Sequence, residues 1–202
     1  MQGRRHMDRR TFLKTIVLGG GLTAFASSSY ALKFFPNPGK QKWAILFGSR
    51  YGSTRDASLW ISEGMGGIAD AFDARENADL TSFDNIIVGS GIYLGKIEQS
   101  LDSYLTKNAA SISYRIKALF IVCGAGDSPR AQAFVDGFAK SCQAKPSLVR
   151  IFSGRITKRL LNKEDYKVEE KVFKRRNEPY EDYDRLKRSD CLKFGEEILN
   201  KV

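Results

Sequence analysis

The chain has 202 residues, with 33 Lys and Arg against 23 Asp and Glu, and a single histidine, His6. With no histidine after position 6, Ser-His-Asp and Cys-His catalysis and most zinc and iron sites are excluded from the rest of the chain. The three cysteines, Cys123, Cys142 and Cys191, show no C-x-x-C spacing, so any redox chemistry has to come from a bound group.

Paired arginines open the chain in Asp8-Arg9-Arg10-Thr11-Phe12-Leu13-Lys14. A short apolar stretch follows, from Thr15 to about Phe25, and ends in small residues with Ser29-Tyr30-Ala31 as the cleavage-like site. This order of charged, apolar and small regions predicts a twin-arginine (Tat) export signal over 1–31, and hence a protein sent to the periplasm. The competing reading is a membrane anchor, which Gly19, Gly20 and Gly21 weaken because a spanning helix needs about 20 strongly apolar residues. Five of the bases and one acid lie in 1–31, which leaves 28 against 22, or +6, in 32–202. That charge suits an anionic partner such as a membrane surface, with peripheral contact. No nucleic-acid-binding motif is present.

Beyond the signal, strands alternate with helices. The apolar run Lys42–Gly48 reads as a buried strand, and Thr54 to about Met65 has helical spacing. A weaker strand is expected near Ile68–Ala74, then a clear one at Asn85–Ser90 and a helix over Ser100–Asn108. Ala118–Cys123 is the strongest strand signal, and a helix over Arg130–Ala144 follows it. Leu148–Phe152 supplies a fifth strand and Asp190–Leu199 a closing amphipathic helix. Five strands interleaved with helices predict an α/β three-layer sandwich around a parallel sheet of order 2-1-3-4-5.

Three polar, glycine-rich loops leave the carboxyl ends of strands one, three and four. The first, Gly48-Ser49-Arg50-Tyr51-Gly52-Ser53-Thr54, joins a strand to a helix N-terminus, whose backbone N–H groups have no intrahelical partner. Those donors, with the hydroxyls of Ser49, Ser53 and Thr54, can wrap a phosphate, and Gly52 allows close backbone approach. The bland alternative is an ordinary turn with Ser53 or Thr54 as the N-cap. The second loop runs from Gly89 to Lys96 and carries Tyr93, placed to stack on a flat ring; the third is Gly124-Ala125-Gly126-Asp127-Ser128-Pro129. Taken singly, Tyr93 could be a surface aromatic and the glycines mere punctuation. Their meeting at one sheet edge, where the strand order reverses, points instead to a ligand site.

At these residues the sequence resembles the flavodoxin superfamily over 42–202, and within it the menaquinone-dependent protoporphyrinogen dehydrogenases. Their first loop has the form F-S-T-R-D-G-Q-T, which stands here as Phe47-Gly48-Ser49-Arg50-Tyr51-Gly52-Ser53-Thr54. Arg50, Gly52 and Thr54 agree; Tyr51 and Ser53 depart. Their second loop is basic and aromatic like Ile92-Tyr93-Leu94-Gly95-Lys96. They also carry a charged segment between fifth strand and last helix, matching Thr157–Arg188 in position. The resemblance implies FMN as cofactor, held by Ser49, Arg50, Tyr51, Gly52, Ser53 and Thr54 at its phosphate. It implies ring contacts from Ser90, Gly91, Ile92 and Tyr93 and from Gly124, Ala125, Gly126 and Asp127, with no catalytic side chain and no metal.

The implied function is an FMN-dependent dehydrogenase that passes electrons between a substrate, such as a porphyrin-like molecule, and a quinone. The alternative is an exported flavodoxin-type electron carrier that docks a redox partner protein and has no substrate of its own. Twin-arginine export fits either, because that route carries folded, cofactor-loaded proteins. Arg50, Lys96 and Arg130 on the ring loops are expected to favour the anionic, reduced flavin by Coulomb attraction. For 157–188, a solvated helical hairpin stands against a lid or docking surface beside the flavin.

Overall fold

The computed structural model describes residues 41–124 and 130–202, with Arg130 described by its backbone alone. The predicted export signal and Ala125, Gly126 and Asp127 therefore lie outside the described residues. Five parallel strands form the sheet: β1 (Trp43–Gly48), β2 (Ala69–Asp73), β3 (Asn85–Tyr93), β5 (Ile116–Cys123) and β6 (Leu148–Ser153). Their order is β2-β1-β3-β5-β6, as the alternation of elements predicts, and the short strand β4 (Lys96–Ile97) pairs with β3 off this path. Helices α1 (Ser53–Gly64), α2 (Gln99–Ile112), α3 (Arg130–Ser141) and α5 (Arg188–Lys201) cover the two faces. Among the described residues no helix is long and apolar enough to cross a membrane.

The two-residue period of a strand sorts the core into two layers. Ala44, Leu46, Ile86, Val88, Leu119 and Ile121 face α2 and α3, where Leu101, Leu105 and Phe138 pack on them. Their neighbours in sequence, Trp43, Ile45, Ile87, Phe120 and Val122, face α1 and α5 and meet Ile61, Phe194 and Ile198. The central strands read as near-continuous apolar runs for this reason: both faces are buried. Cys142 belongs to the first layer and Cys191 to the second. Both are free thiols, and burial pushes each up to about 12.

α1 and α5 approach backbone to backbone. A Cβ on Gly64 would lie 2.7 Å from the Leu192 Cα, and one on Gly195 would lie 2.9 Å from the Met65 nitrogen and closer still to the Ile61 carbonyl. This contact fixes α1, and with it the loop at its N-terminus.

Two elements differ from the sequence expectation. β3 does not stop at Ser90 but runs to Tyr93 and turns back into β4, pairing Ile92 with Ile97 and Tyr93 with Lys96. The turn is Leu94-Gly95, both at positive φ (54° and 79°), the geometry that tight hairpins require. The segment after β6 is not a helical hairpin. It contains one α-helix, α4 (Lys163–Arg176), a 3-10 turn at Lys158–Leu160 and a two-stranded ribbon in which β7 (Arg155–Ile156) pairs antiparallel with β8 (Tyr183–Asp184). Asn177 closes α4 in a left-handed cap (φ 55°), and Pro179 comes two residues later, so the chain returns extended. Tyr180 and Tyr183 then both pack against Phe173, with centroids 5.1 and 6.0 Å from it, which gives the segment its own small core.

Candidate functional site

The carboxyl ends of β1, β3, β5 and β6 open into one cleft, with the 48–54 loop on one side. Gly52 is the N-cap of α1 at φ 92°, a left-handed conformation that glycine adopts without strain. No side chain caps the helix. The first-turn N–H groups are thus left for a ligand, and neither Ser53 nor Thr54 takes the capping role considered from sequence. Thr54 is fully buried, and its Oγ1 has no hydrogen-bond partner. Since a buried hydroxyl without a partner costs about 1–3 kcal/mol, this atom is set up for an incoming acceptor. An uncapped helix end beside an orphaned hydroxyl suits a phosphate group.

Other donors of the loop are already in use. Ser49 is buried, and its Oγ accepts from the Gly52 N–H at 3.0 Å. The Arg50 N–H donates to the Tyr93 hydroxyl at 2.8 Å, while the Arg50 guanidinium lies 4.4 Å from the centre of the Tyr93 ring. Tyr51 meets Tyr93 edge to face at 5.9 Å. Burial raises the Tyr93 phenol above its usual range, so it stays protonated. Tyr93 is thus fastened to the 48–54 loop rather than standing free on a glycine-rich loop.

On β3 the Ser90 hydroxyl is fully buried, donates to the Gly91 carbonyl at 2.8 Å and accepts from the Glu98 N–H at 2.9 Å. Its side chain ties β3 to the start of α2 and leaves only the backbone at this point for a ligand. A Cβ on Gly91 would lie 2.7 Å from the Tyr93 hydroxyl, so the folded-back tyrosine needs glycine there. Ile92 and Tyr93 line the cleft from this side, and Val122, Cys123 and Gly124 from the end of β5.

The segment that follows β6 forms the opposite wall, with Leu161, Asp165, Val168, Glu169 and Tyr183. Asp165, almost fully buried in the first turn of α4, accepts from the Arg50 guanidinium at 2.7 Å, from Asn162 Nδ2 at 3.1 Å and from the Tyr51 hydroxyl. Burial first, and then the bond to Asp165, raises the Tyr51 phenol. Burial likewise pushes the Glu169 carboxyl up. Arg155 pairs with Asp56 in the first turn of α1 and with Asp184 at 3.2 Å, so the ribbon too is tied to the helix that follows the 48–54 loop. The Tyr183 hydroxyl stands 2.9 Å from where a Cβ on Gly124 would be, which closes the segment over the end of β5. The expected attraction of the reduced flavin to Arg50 is therefore offset, because Asp165 already neutralises that guanidinium.

Sequence reasoning missed Asp165, Glu169, Tyr183 and Arg155. Asn162 three residues before Asp165 is a legible helix start, and its Oδ1 does accept from the Asp165 N–H at 2.7 Å. No local signal pairs Asp165 with Arg50 across 115 residues.

A flavodoxin domain family matches residues 44–180. The chain belongs to that family. Among solved structures, the flavodoxin domain is similar to oxidised flavodoxin 1 from Bacillus cereus, at TM-score 0.52 and 16% identity over 79% of this chain and 98% of that one. It is similar to two-electron reduced flavodoxin from Megasphaera elsdenii, at TM-score 0.50 and 14% identity over 78% and 98%. A flavoprotein from Lactobacillus acidophilus, solved in complex with FMN, matches at TM-score 0.44 and 16% identity over 55% and 93%. No curated protein gives a significant match. Family membership, with the uncapped helix end and the orphaned Thr54 hydroxyl, supports FMN as the cofactor of this flavodoxin domain.

Proposed function

We propose that this flavodoxin domain is an FMN-binding oxidoreductase passing electrons from a reduced, flat small molecule to a quinone. The observation that carries the reading is the wall formed by α4 and Tyr183, which covers a cleft whose floor holds an uncapped, phosphate-ready helix end. A cleft covered in this way suits a planar molecule entering from the side better than a docked protein surface. In this reading the first-turn N–H groups of α1 and Thr54 Oγ1 hold the phosphate, Ile92 and Tyr93 flank the ring, and Leu161 and Val168 exclude water. FMN, once bound, supplies one- and two-electron chemistry. The donor gives up two electrons and two protons, and the quinone takes up two of each to become a quinol.

The sequence resemblance points to a porphyrin-like donor and a menaquinone-like acceptor. The exposed cations of α4, Lys163, Lys167, Lys171 and Lys174 with Arg175 and Arg176, suit the anionic surface of a membrane in which quinones dissolve. The paired arginines Arg9 and Arg10 support export by the Tat route to the periplasm. The test begins with purified full chain titrated with FMN, followed by flavin fluorescence. The reduced protein is then mixed anaerobically with a soluble naphthoquinone or with an oxidised redox protein. Fast oxidation by the quinone is expected; oxidation only by the redox protein would make this an electron carrier, and a protein that binds no FMN would end the reading.

A further inference from the structure

We propose that Asp165 is an internal anion competing with the cofactor's phosphate, and that it sets how strongly the site discriminates FMN from riboflavin. The inference rests on the FMN reading above and deepens it. Three donors converge on Asp165 Oδ2: the Arg50 guanidinium at 2.7 Å, Asn162 Nδ2 at 3.1 Å and the Tyr51 hydroxyl. Arg50 and Tyr51 are residues of the phosphate loop itself. Arg50 is the only guanidinium on that loop, since Arg55 lies beyond it in α1 and pairs with Asp56 at 3.0 Å. A carboxylate from a segment more than 100 residues away thus occupies the loop's own guanidinium, while the Arg55 guanidinium stands 3.8 Å from where a Cβ on Gly52 would be. Its own position is secure, because it sits in the first turn of α4, where the helix dipole favours an anion and Asn162 caps the turn.

Two anions cannot share one guanidinium fully. A phosphate arriving at the Ser53 and Thr54 amides meets the repulsion of a buried carboxylate and a cation already paired. Arg50 is drawn towards the phosphate, and Asp165 keeps Asn162 and Tyr51. Asp165 thereby weakens the phosphate's contribution to binding more than the ring's. The same bond fastens α4, so a phosphate that draws Arg50 away also loosens the wall of the cleft. Cofactor loading and the position of α4 are coupled through one carboxylate oxygen.

The test compares FMN and riboflavin affinities for the full chain, stripped of flavin, as wild type, Asp165→Asn, Asp165→Glu and Arg50→Gln/Asp165→Asn. A charge-assisted hydrogen bond released to the phosphate corresponds to about a tenfold change. Asp165→Asn is therefore expected to raise the FMN-to-riboflavin affinity ratio about tenfold, with riboflavin shifted less than threefold. Asp165→Glu should return the ratio towards wild type, and the double variant should lose the gain. A ratio unchanged or lowered in Asp165→Asn overturns the inference.

Hydrogen exchange of the cofactor-free wild type with inorganic phosphate gives a second reading that needs neither flavin nor a variant. Faster exchange in the first turns of α4 supports the competition, and unchanged or slower exchange refutes it. If the wild type binds neither flavin, the FMN reading fails and the phosphate experiment alone decides this one. If Asp165→Asn does not fold, the phosphate experiment decides likewise.

Discussion

Replacing Gly195 with alanine sets two effects of opposite sign against each other. In a helix interior, glycine to alanine normally stabilises by about 0.5–1 kcal/mol, because alanine loses less backbone freedom on folding. At Gly195, however, the new Cβ would sit 2.9 Å from the Met65 nitrogen, 3.0 Å from the Gly64 carbonyl carbon and closer still to the Ile61 oxygen. Ordinary contacts for such atoms lie at about 3.5–4.0 Å, so the two helices must move apart by roughly 0.5–1 Å. All three neighbours are backbone atoms of the α1 end, and no side-chain rotation relieves them. Overpacking of this kind costs about 1–3 kcal/mol or more, which exceeds the propensity gain.

The net expectation is a loss of about 1–2 kcal/mol, and at about 2–4 °C per kcal/mol for a domain this size, Tm should fall by about 2–8 °C. Gly137 in α3 supplies the control, because a Cβ there meets nothing within 4 Å. Gly137→Ala should raise Tm by about 1–4 °C through propensity alone. Circular dichroism melts of both variants under one condition make the comparison. Since α1 carries the phosphate loop at its other end, Gly195→Ala should also weaken FMN binding while Gly137→Ala does not. A Gly195→Ala protein as stable as wild type, or more so, would refute the backbone-contact argument.

Three further variants probe the cleft. Thr54→Val replaces a buried, unpartnered hydroxyl with a methyl, so the cofactor-free protein should be as stable or slightly more so, while FMN binding weakens about tenfold or more and riboflavin binding does not change. Tyr93→Phe deletes the acceptor for the Arg50 N–H, costing the cofactor-free protein about 1 kcal/mol, readable as a lower midpoint in urea. Burial raises the Glu169 carboxyl, so its contribution is fully present below the unfolded pKa of about 4.3 and is lost as pH rises through the higher folded value. Glu169→Gln should therefore melt like wild type at low pH and above it near neutrality, and a constant gap across pH would remove Glu169 as the cause.

What was legible in the sequence followed burial on both faces. Trp43–Gly48 and Ala118–Cys123 read as strands because nothing polar interrupts them, and their alternation with helices was enough for the sheet order. The extension of β3 through Gly91 to Tyr93 was hidden, since glycines there signal a loop while the structure uses Gly91 to make room for Tyr93. The hairpin that follows was hidden too, because leucine is an uncommon choice at positive φ where asparagine or glycine would announce the turn. In the charged segment the helix-ending Asn177 and Pro179 were present to be read, but the pairing of Arg155 with Asp184 was not, because ribbon partners are joined only by tertiary contact. The loop positions 49–54 were visible as the turn that leads from β1 into α1. That Arg50 and Tyr51 are held by Asp165 was not, for the same reason of distance along the chain.

The two remote thiols give the molecule a record of its own opening. Cys142 lies in the layer shared by α2 and α3, and Cys191 in the layer shared by α5 and α1; both are completely shielded. A thiol held near 12 carries almost no reactive thiolate at neutral pH, so modification has to wait until its layer parts. Labelling at Cys191 then dates the separation of α1 and α5, and labelling at Cys142 dates the other side of the sheet. Followed with and without flavin, the pair of rates tells which half of the sandwich the cofactor holds shut.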